Sequence, residues 1–302
     1  MAAPGADGPP LAFGGRRTGT ADGAMPELTE MRALAERVDT ALAGCTLTGY
    51  EALGFSGLKT VSPRPDTLVG RALESAASRG KYLVLSFGGG ARILVHLSQA
   101  GRLDLESPAK HTRPRGSVVR LVLGDAALLV REHGNERKAG WWVLAPGDDG
   151  PLAVLGPEPA EDAFAALLME GDDGRQLHTV LRDQRTVAGV GRGYVDDALN
   201  LAGLSPFASL RSLTPEQRSR LVEAVRAVLA EGLERERTRS GGLSEARLGD
   251  RFAVHNRAGQ PCPRCGETLL RVSFASHEIA YCKACQTNGR VLADRRLSRL
   301  LR

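Results

Sequence analysis

The sequence predicts an α+β chain of several domains: a helix leading into a β-sandwich or flattened barrel, then a helical domain, then a small ribbon built on four cysteines. Three observations carry this. Apolar residues recur at three- and four-residue spacing from Leu28 to Leu42 and again from Leu221 to Leu233. Between these stripes lie paired β-rich runs broken by glycine turns. Two Cys-x2-Cys pairs stand near the C-terminus, separated by sixteen residues.

Taken in order, residues 1–24 are rich in Gly, Ala and Pro and hold few groups able to bury surface, so disorder is expected. The pattern changes at Ala24-Met-Pro-Glu-Leu-Thr-Glu30, where Leu28, Met31, Leu34, Val38 and Leu42 form one helical stripe. That break marks Met25 as a candidate translation start, with residues 1–24 an artefact of start assignment or a leader removed by processing. Cys45 stands alone and is read as a small core residue. "KYLVLSF" and "ARILVHL" are joined by Gly88-Gly89-Gly90, a hairpin signal, and "SVVRLVLGDAALLVREHG" repeats the design around Gly124-Asp125. Trp141-Trp142-Val143-Leu144 adds a strand.

Gly156-Pro157-Glu158-Pro159 ends the strand pattern, and helices follow. Thr214-Pro-Glu-Gln217 is a capping box with proline at the first helical position, opening the stripe Leu221, Val222, Val225, Leu229, Leu233. "RTRSGG" after it reads as an exposed linker. The expected domains are a 1–24 extension, a 25–155 β domain, a 156–246 helical domain and a 247–302 ribbon.

The charge balance is mildly basic, 40 Lys+Arg against 35 Asp+Glu, so its placement matters more than its size. From Gln286 onward Arg290, Arg295, Arg296, Arg299 and Arg302 face Asp294 alone. Such an end suits a polyanion such as DNA, or is a solvated tail. No stretch approaches the roughly 18 apolar residues of a membrane span, and no secretory apolar run follows Arg16-Arg17. The chain is expected to work in the cytoplasm, away from membranes and as a monomer.

Cys262-Pro-Arg-Cys265 and Cys282-Lys-Ala-Cys285 each present two thiolates from a tight turn, and together they complete a tetrahedral site for one Zn2+. Four thiolates leave no position for a catalytic water, so the ion is structural. His277 is a fifth candidate ligand, expected at the surface instead.

The order Pro-Glu-Leu start, β domain, helical domain and C-terminal four-cysteine ribbon resembles the formamidopyrimidine-DNA glycosylase/endonuclease VIII family over residues 25–302. Pro26-Glu27-Leu28-Thr29-Glu30 resembles its Pro-Glu-Leu-Pro-Glu start, and Lys81-Tyr82-Leu83 its Lys-Tyr-Leu strand. "DQRTVAGVGRGYVDDALNLAGLSPF" resembles its helix-two-turn-helix. The resemblance implies a bifunctional DNA glycosylase and abasic-site lyase acting on damaged double-stranded DNA. Pro26 would be the nucleophile: an α-amino group has a pKa near about 8, against about 10.4 for lysine, so a useful fraction is neutral at neutral pH. It would attack C1′, expel the base and form an iminium ion from which the strand is cleaved by elimination. Glu27 would move the proton at the sugar ring oxygen, and Glu30 would fix the amine or the flipped nucleotide. Lys81 would meet a phosphate beside the lesion and support catalysis. An ordinary strand-end lysine is the plainer reading.

His96 in "HLSQAGRL" takes the place of the family's His-Leu loop; without the match it reads as an interior histidine. Extruding a base leaves a hole to be filled. In the family, a methionine and an Arg-Phe pair fill it, where this chain has Gln99 and "ERKAGWW", with Arg137, Lys138 and Ala139. The helical turn carries Arg192 where asparagine is usual, after Gly189 and Gly191, glycines expected to bring backbone N–H groups to a phosphate. The ribbon arginine that grips phosphate falls at His277 here, with Arg271 as substitute. These departures and the ending "QTNGRVLADRRLSRLLR" resemble the endonuclease VIII-like branch, implying oxidised pyrimidines and abasic sites as substrates.

All of this needs a free amine. Read from Met1, Pro26 is an amide without a usable lone pair, and the chain would then be a non-catalytic zinc-containing protein that binds damaged DNA, or one using Lys81 as substitute nucleophile.

Overall fold

Helix α1 (Leu28–Leu42) forms where the stripe predicts, with Met31, Leu34, Val38 and Leu42 buried. The computed structural model describes residues 26–133, 138–239, 243, 251–274 and 277–293; the 1–24 extension and the basic run from Asp294 lie outside them. The β domain is a sandwich of two four-stranded antiparallel sheets. β1 (Leu47–Ala52), β5 (Gly101–Glu106), β6 (Ser117–Leu123) and β7 (Ala126–Glu132) form one, in the order β1-β6-β7-β5. β2 (Leu73–Arg79), β3 (Tyr82–Phe87), β4 (Ala91–His96) and β8 (Gly140–Leu144) form the other, in the order β2-β3-β4-β8. Both expected hairpins are present, β3 with β4 and β6 with β7. Leu47, Phe87, Ile93, Val119, Leu121 and Trp141 fill the space between the sheets, with Cys45 packed at its margin.

Helices α2 (Asp162–Glu170), α3 (Leu177–Arg182), α4 (Arg192–Ala202) and α5 (Pro215–Thr238) enclose a second core containing Phe164, Leu181, Leu199, Leu221 and Val225. The capping box of α5 is made as its sequence dictates: Gln217 N–H donates to Thr214 Oγ1 at 3.3 Å, and Thr214 N–H to Gln217 Oε1 at 2.9 Å. The expected linker, however, begins later than "RTRSGG" suggests. Arg237 and Thr238 remain helical because Arg237 makes a bidentate pair with Glu36 on α1, at 2.6 and 2.9 Å.

Two glycines in this region are needed for closeness. A Cβ on Gly193 would fall within the Phe252 ring, and one on Gly232 would meet the Tyr194 hydroxyl. The two rings stack edge to face with centroids 5.2 Å apart, and the Tyr194 hydroxyl is 2.8 Å from Thr29 Oγ1 on α1. Gly193→Ala is therefore expected to lower unfolding free energy by about 1–3 kcal/mol, the range for overpacked cores. Urea unfolding checks this, and an unchanged midpoint would show that the Phe252 ring yields freely.

The ribbon comprises the hairpin β9 (Leu270–Phe274) and β10 (His277–Tyr281) and the short helix α6 (Lys283–Thr287). Helix α4 fastens it. Asp197 accepts the N–H groups of Ala253 and Val254 at 2.7 and 2.8 Å. Buried Asp196 accepts from Ala280 N–H at 3.2 Å and meets His255 Nδ1 at 2.7 Å. Asn200 lies 3.7 Å from Cys262 Sγ and 3.1 Å from Gln286 Oε1. Among the described residues, no helix is long and apolar enough to cross a membrane.

Candidate active site

Pro26 and Glu27 immediately precede α1. Glu27 is the N-cap, and its backbone N–H donates to Glu30 Oε2 at 2.8 Å, so the peptide joining Pro26 to Glu27 is held by a carboxylate one helical turn on. The Glu27 side chain turns inward and is only 5% exposed. Its Oε2 accepts the Gly191 N–H at 2.8 Å, while Leu28 N–H donates to Gly189 O at 3.0 Å. The tip of α1 is thus docked against the turn between α3 and α4.

That turn explains its glycines differently from the sequence reading. Gly189 has φ +85°, and a Cβ there would stand 2.7 Å from Leu28 Cβ; a Cβ on Gly191 would fall on the Glu27 carboxylate. The N–H groups expected at a phosphate have intramolecular acceptors instead, Gly191 the Glu27 carboxylate and Gly189 the Gln184 Oε1 at 2.8 Å.

Lys81 enters from the β2–β3 turn. Gly80, at φ +58°, makes that turn possible, and its N–H donates to buried Glu158 Oε1 at 2.6 Å. Glu158 in turn pairs with Arg32 at 2.9 Å and Arg79 at 3.4 Å. Burial pushes the Glu27 carboxyl up, opposed by the cations Lys81 and Arg251. Burial pushes the Lys81 ammonium down, opposed by Glu27 and Glu30 and reinforced by Arg192 and Arg182. An acid readier to keep its proton, next to Pro26 in the chain, and an amine readier to lose one thus lie close enough to act on each other electrostatically. His96 sits across from Tyr82 in the β3–β4 register, with ring centroids 4.8 Å apart. Burial, then Lys81, lowers its pKa to about 4, so it is neutral near pH 7.

The remaining expected residues are placed as follows. Gln99 is half-buried in the β4–β5 turn, and Arg192 is half-buried at the first position of α4. Lys138 is exposed, and its backbone N–H, like that of Ala139, donates to Glu132 Oε1 at 2.7 Å. Arg137 lies outside the described residues, as does the His277 side chain; the His277 backbone pairs with Phe274 beside the hairpin turn. Arg271 is exposed on β9 and pairs with Glu278 at 3.2 Å, so a phosphate would compete with that carboxylate.

Sequence reasoning missed Glu158, Arg182 and Arg251. Glu158 is visible there only as part of a Pro-Gly break, and Arg251 stands in no motif. Arg251 nevertheless makes a close ion pair with Glu30, both side chains almost fully enclosed, and its guanidinium lies 4.4 Å from the centre of the Phe252 ring.

The four cysteines converge: their Sγ atoms all lie within 4.8 Å of one another, with Cys265 and Cys282 3.6 Å apart. A ZnS4 tetrahedron with Zn–S of about 2.3 Å has edges of about 3.8 Å, so Cys262, Cys265, Cys282 and Cys285 fit one structural Zn2+. No His, Asp or Glu among the described residues joins the cluster.

Comparison with known proteins gives three family models along the chain. Residues 25–190 match the formamidopyrimidine-DNA glycosylase N-terminal domain, 155–242 the formamidopyrimidine-DNA glycosylase H2TH domain, and 259–288 the zinc finger found in FPG and IleRS. The formamidopyrimidine-DNA glycosylase of Chloroflexus aurantiacus is 33% identical over 281 residues, 87% of this chain and 98% of the relative. An uncharacterized formamidopyrimidine-DNA glycosylase-like protein of Mycobacterium tuberculosis is 41% identical over 152 residues, 49% of this chain and 95% of the relative. The crystal structure of the MutM (Fpg) protein from Thermus thermophilus superposes with a TM-score of 0.74 at 32% identity, covering 86% of this chain and 98% of that one. These names do not separate the endonuclease VIII-like branch from the rest.

Proposed function

Because the chain belongs to the formamidopyrimidine-DNA glycosylase family, we propose that it excises oxidised bases from duplex DNA and then cleaves the strand at the abasic site, with Pro26 as nucleophile. The neutral Pro26 nitrogen attacks C1′, and the bond to the base breaks with its electron pair leaving on the base. The new ammonium gives up its proton, Glu27 protonates the ring oxygen O4′, and opening of the C1′–O4′ bond leaves an iminium ion. That cation is an electron sink: a C2′ proton departs and the 3′ phosphate leaves by β-elimination, with δ-elimination of the 5′ phosphate following from the same adduct.

The observation that carries this reading is the buried carboxyl of Glu27, next in the chain to Pro26 and locked on the Gly191 N–H at 2.8 Å, with burial raising its proton affinity and that of nearby Lys81 lowered. Lys81 is suited to the phosphate beside the lesion. Gln99 and Ala139, in place of Met and Phe, change the filling of the vacated stack and with it the preference for the opposite base. We further infer that the acting form begins at Pro26; that the N-terminal domain match starts at residue 25 supports this.

Incubation with abasic-site DNA and borohydride tests the proposal. The form beginning at Pro26 is expected to give a covalent adduct that peptide mapping places on Pro26, and a form retaining residues 1–25 is expected to give none. An adduct on Lys81 would replace the nucleophile, and no adduct from either form would leave only recognition.

A further inference from the structure

Among the described residues, Arg251 is the strongly enclosed cation at the helix tip that the mechanism above leaves without a task. It lies just before the ribbon, 221 residues from its partner Glu30 in the chain. Its backbone carbonyl accepts from Arg235 Nη1 of α5 at 2.7 Å, and its guanidinium lies over the Phe252 ring and pairs with the Glu30 carboxylate. One Glu30 oxygen holds Arg251 and the other accepts the Glu27 N–H at 2.8 Å. A continuous path therefore runs from the ribbon's entry through Glu30 to the peptide bearing the nucleophile. We propose that Arg251 is a positioning residue for the reaction: through Glu30 it fixes the Pro26–Glu27 peptide, and its charge offsets the Glu30 carboxylate so that the Pro26 amine is not drawn further towards its protonated form.

The electrostatic part follows from what surrounds Pro26. Glu27 caps α1, and on the helix itself stand Glu30 and Arg37; β5 contributes Arg102, and the β2–β3 turn Lys81. From the end of α5 and beyond come Glu236 and Arg239, lining the same cleft as Pro26. Glu236 is tied to Arg37 through its carbonyl and to Arg239 at 3.4 Å. Glu30 is the anion that shares both the cleft and a bond to the adjoining peptide. Alone it would stabilise an ammonium at Pro26, and an amine that is protonated cannot attack. Arg251 removes that bias without displacing Glu30 from the Glu27 N–H.

This rests on the Pro26 reading, and the test separates the two. Borohydride trapping on abasic-site DNA is measured against pH in single-turnover conditions with the form beginning at Pro26. In Arg251→Gln, the acid limb is expected to move to higher pH by about one pH unit, the low end for a lost neighbouring charge. The maximal trapping rate should fall about tenfold with little change in half-saturating DNA. Arg251→Lys, which keeps the charge but not the fork, should restore the limb more fully than the rate. Glu30→Gln should move the limb the opposite way, so the sign remains readable even if Arg251→Gln does not fold. A limb that stays in place in folded Arg251→Gln, or moves up in Glu30→Gln, overturns the role of Arg251. No adduct at any pH from the unsubstituted form overturns the nucleophile reading and the role of Arg251 with it.

Discussion

Glu27→Gln is expected to excise a damaged base about 100- to 10,000-fold more slowly than the parent form, the span usual for loss of a general acid or base, with its affinity for the same DNA unchanged. Glutamine keeps the contact that positions the side chain, since its carbonyl oxygen can still accept the Gly191 N–H, now accepted by the carboxylate at 2.8 Å. What it lacks is a transferable proton. Single-turnover excision and equilibrium binding on one duplex separate the two effects, and excision at the parent rate would remove Glu27 from the chemistry. The pH dependence has a definite sign. Burial raises the Glu27 pKa, so the stability linked to its protonated form is complete below the ordinary carboxyl range and is lost as pH rises through the raised value. At neutral pH Glu27→Gln should consequently melt no lower than the parent. On the proposed mechanism, activity in the parent form is expected to be bounded on both sides, falling at low pH as Pro26 takes up a proton and at high pH as Glu27 gives one up; a pH profile of single-turnover excision checks this.

Removal of zinc is expected to abolish high-affinity binding to the duplex and to lower the melting temperature of the whole helical half. Metal binding in isolated zinc-finger peptides is worth about 10–16 kcal/mol of folding free energy, far more than the few contacts of a hairpin as short as β9–β10 can replace. The loss should spread because Asp196, Asp197 and Asn200, on a single stretch of α4, hold the ribbon and its approach. Chelation followed by calorimetry and a binding titration at several salt concentrations tests this. The holo form should show a steep salt dependence from released counterions. An apo form with unaltered affinity would deprive the ribbon of its place in the interface.

The parts of this architecture that can be read from sequence are those with a local pattern. Helix α1 and helix α5 show their buried stripes, and β3, β4, β6, β7 and β8 are apolar enough to be seen. The strands that escape such a reading, β1, β2 and β5, are all edge strands. With one neighbour each, they carry Thr, Gly, Glu, Ser and Ala without loss, and "LTGYEA" or "LESAASR" shows no clean alternation. The site divides in the same way. Pro26, Glu27, Lys81 and the four cysteines sit in short recognisable strings. Glu158 holds Gly80, beside Lys81, and Arg251 holds Glu30, beside Glu27, from 78 and 221 residues away along the chain, and no local periodicity records such a pairing. The position of the glycine turn is legible, but its fit against Glu27 and Leu28 depends on which surface it touches.

The docking of the α1 tip also sets a schedule. Residues at the start of α1 leave the ribosome early, and their surroundings are completed by Gly189, Gly191 and Arg251, among the later ones to be made. During synthesis Pro26 and Glu27 exist long before the Glu27 carboxyl is buried against Gly191 or Glu30 is paired with Arg251. A nascent chain, or one truncated ahead of the helical half, therefore lacks the groups that bury Glu27 and pair Glu30, and on the proposed reading it is expected to give no borohydride-trapped adduct at the rate of the full chain.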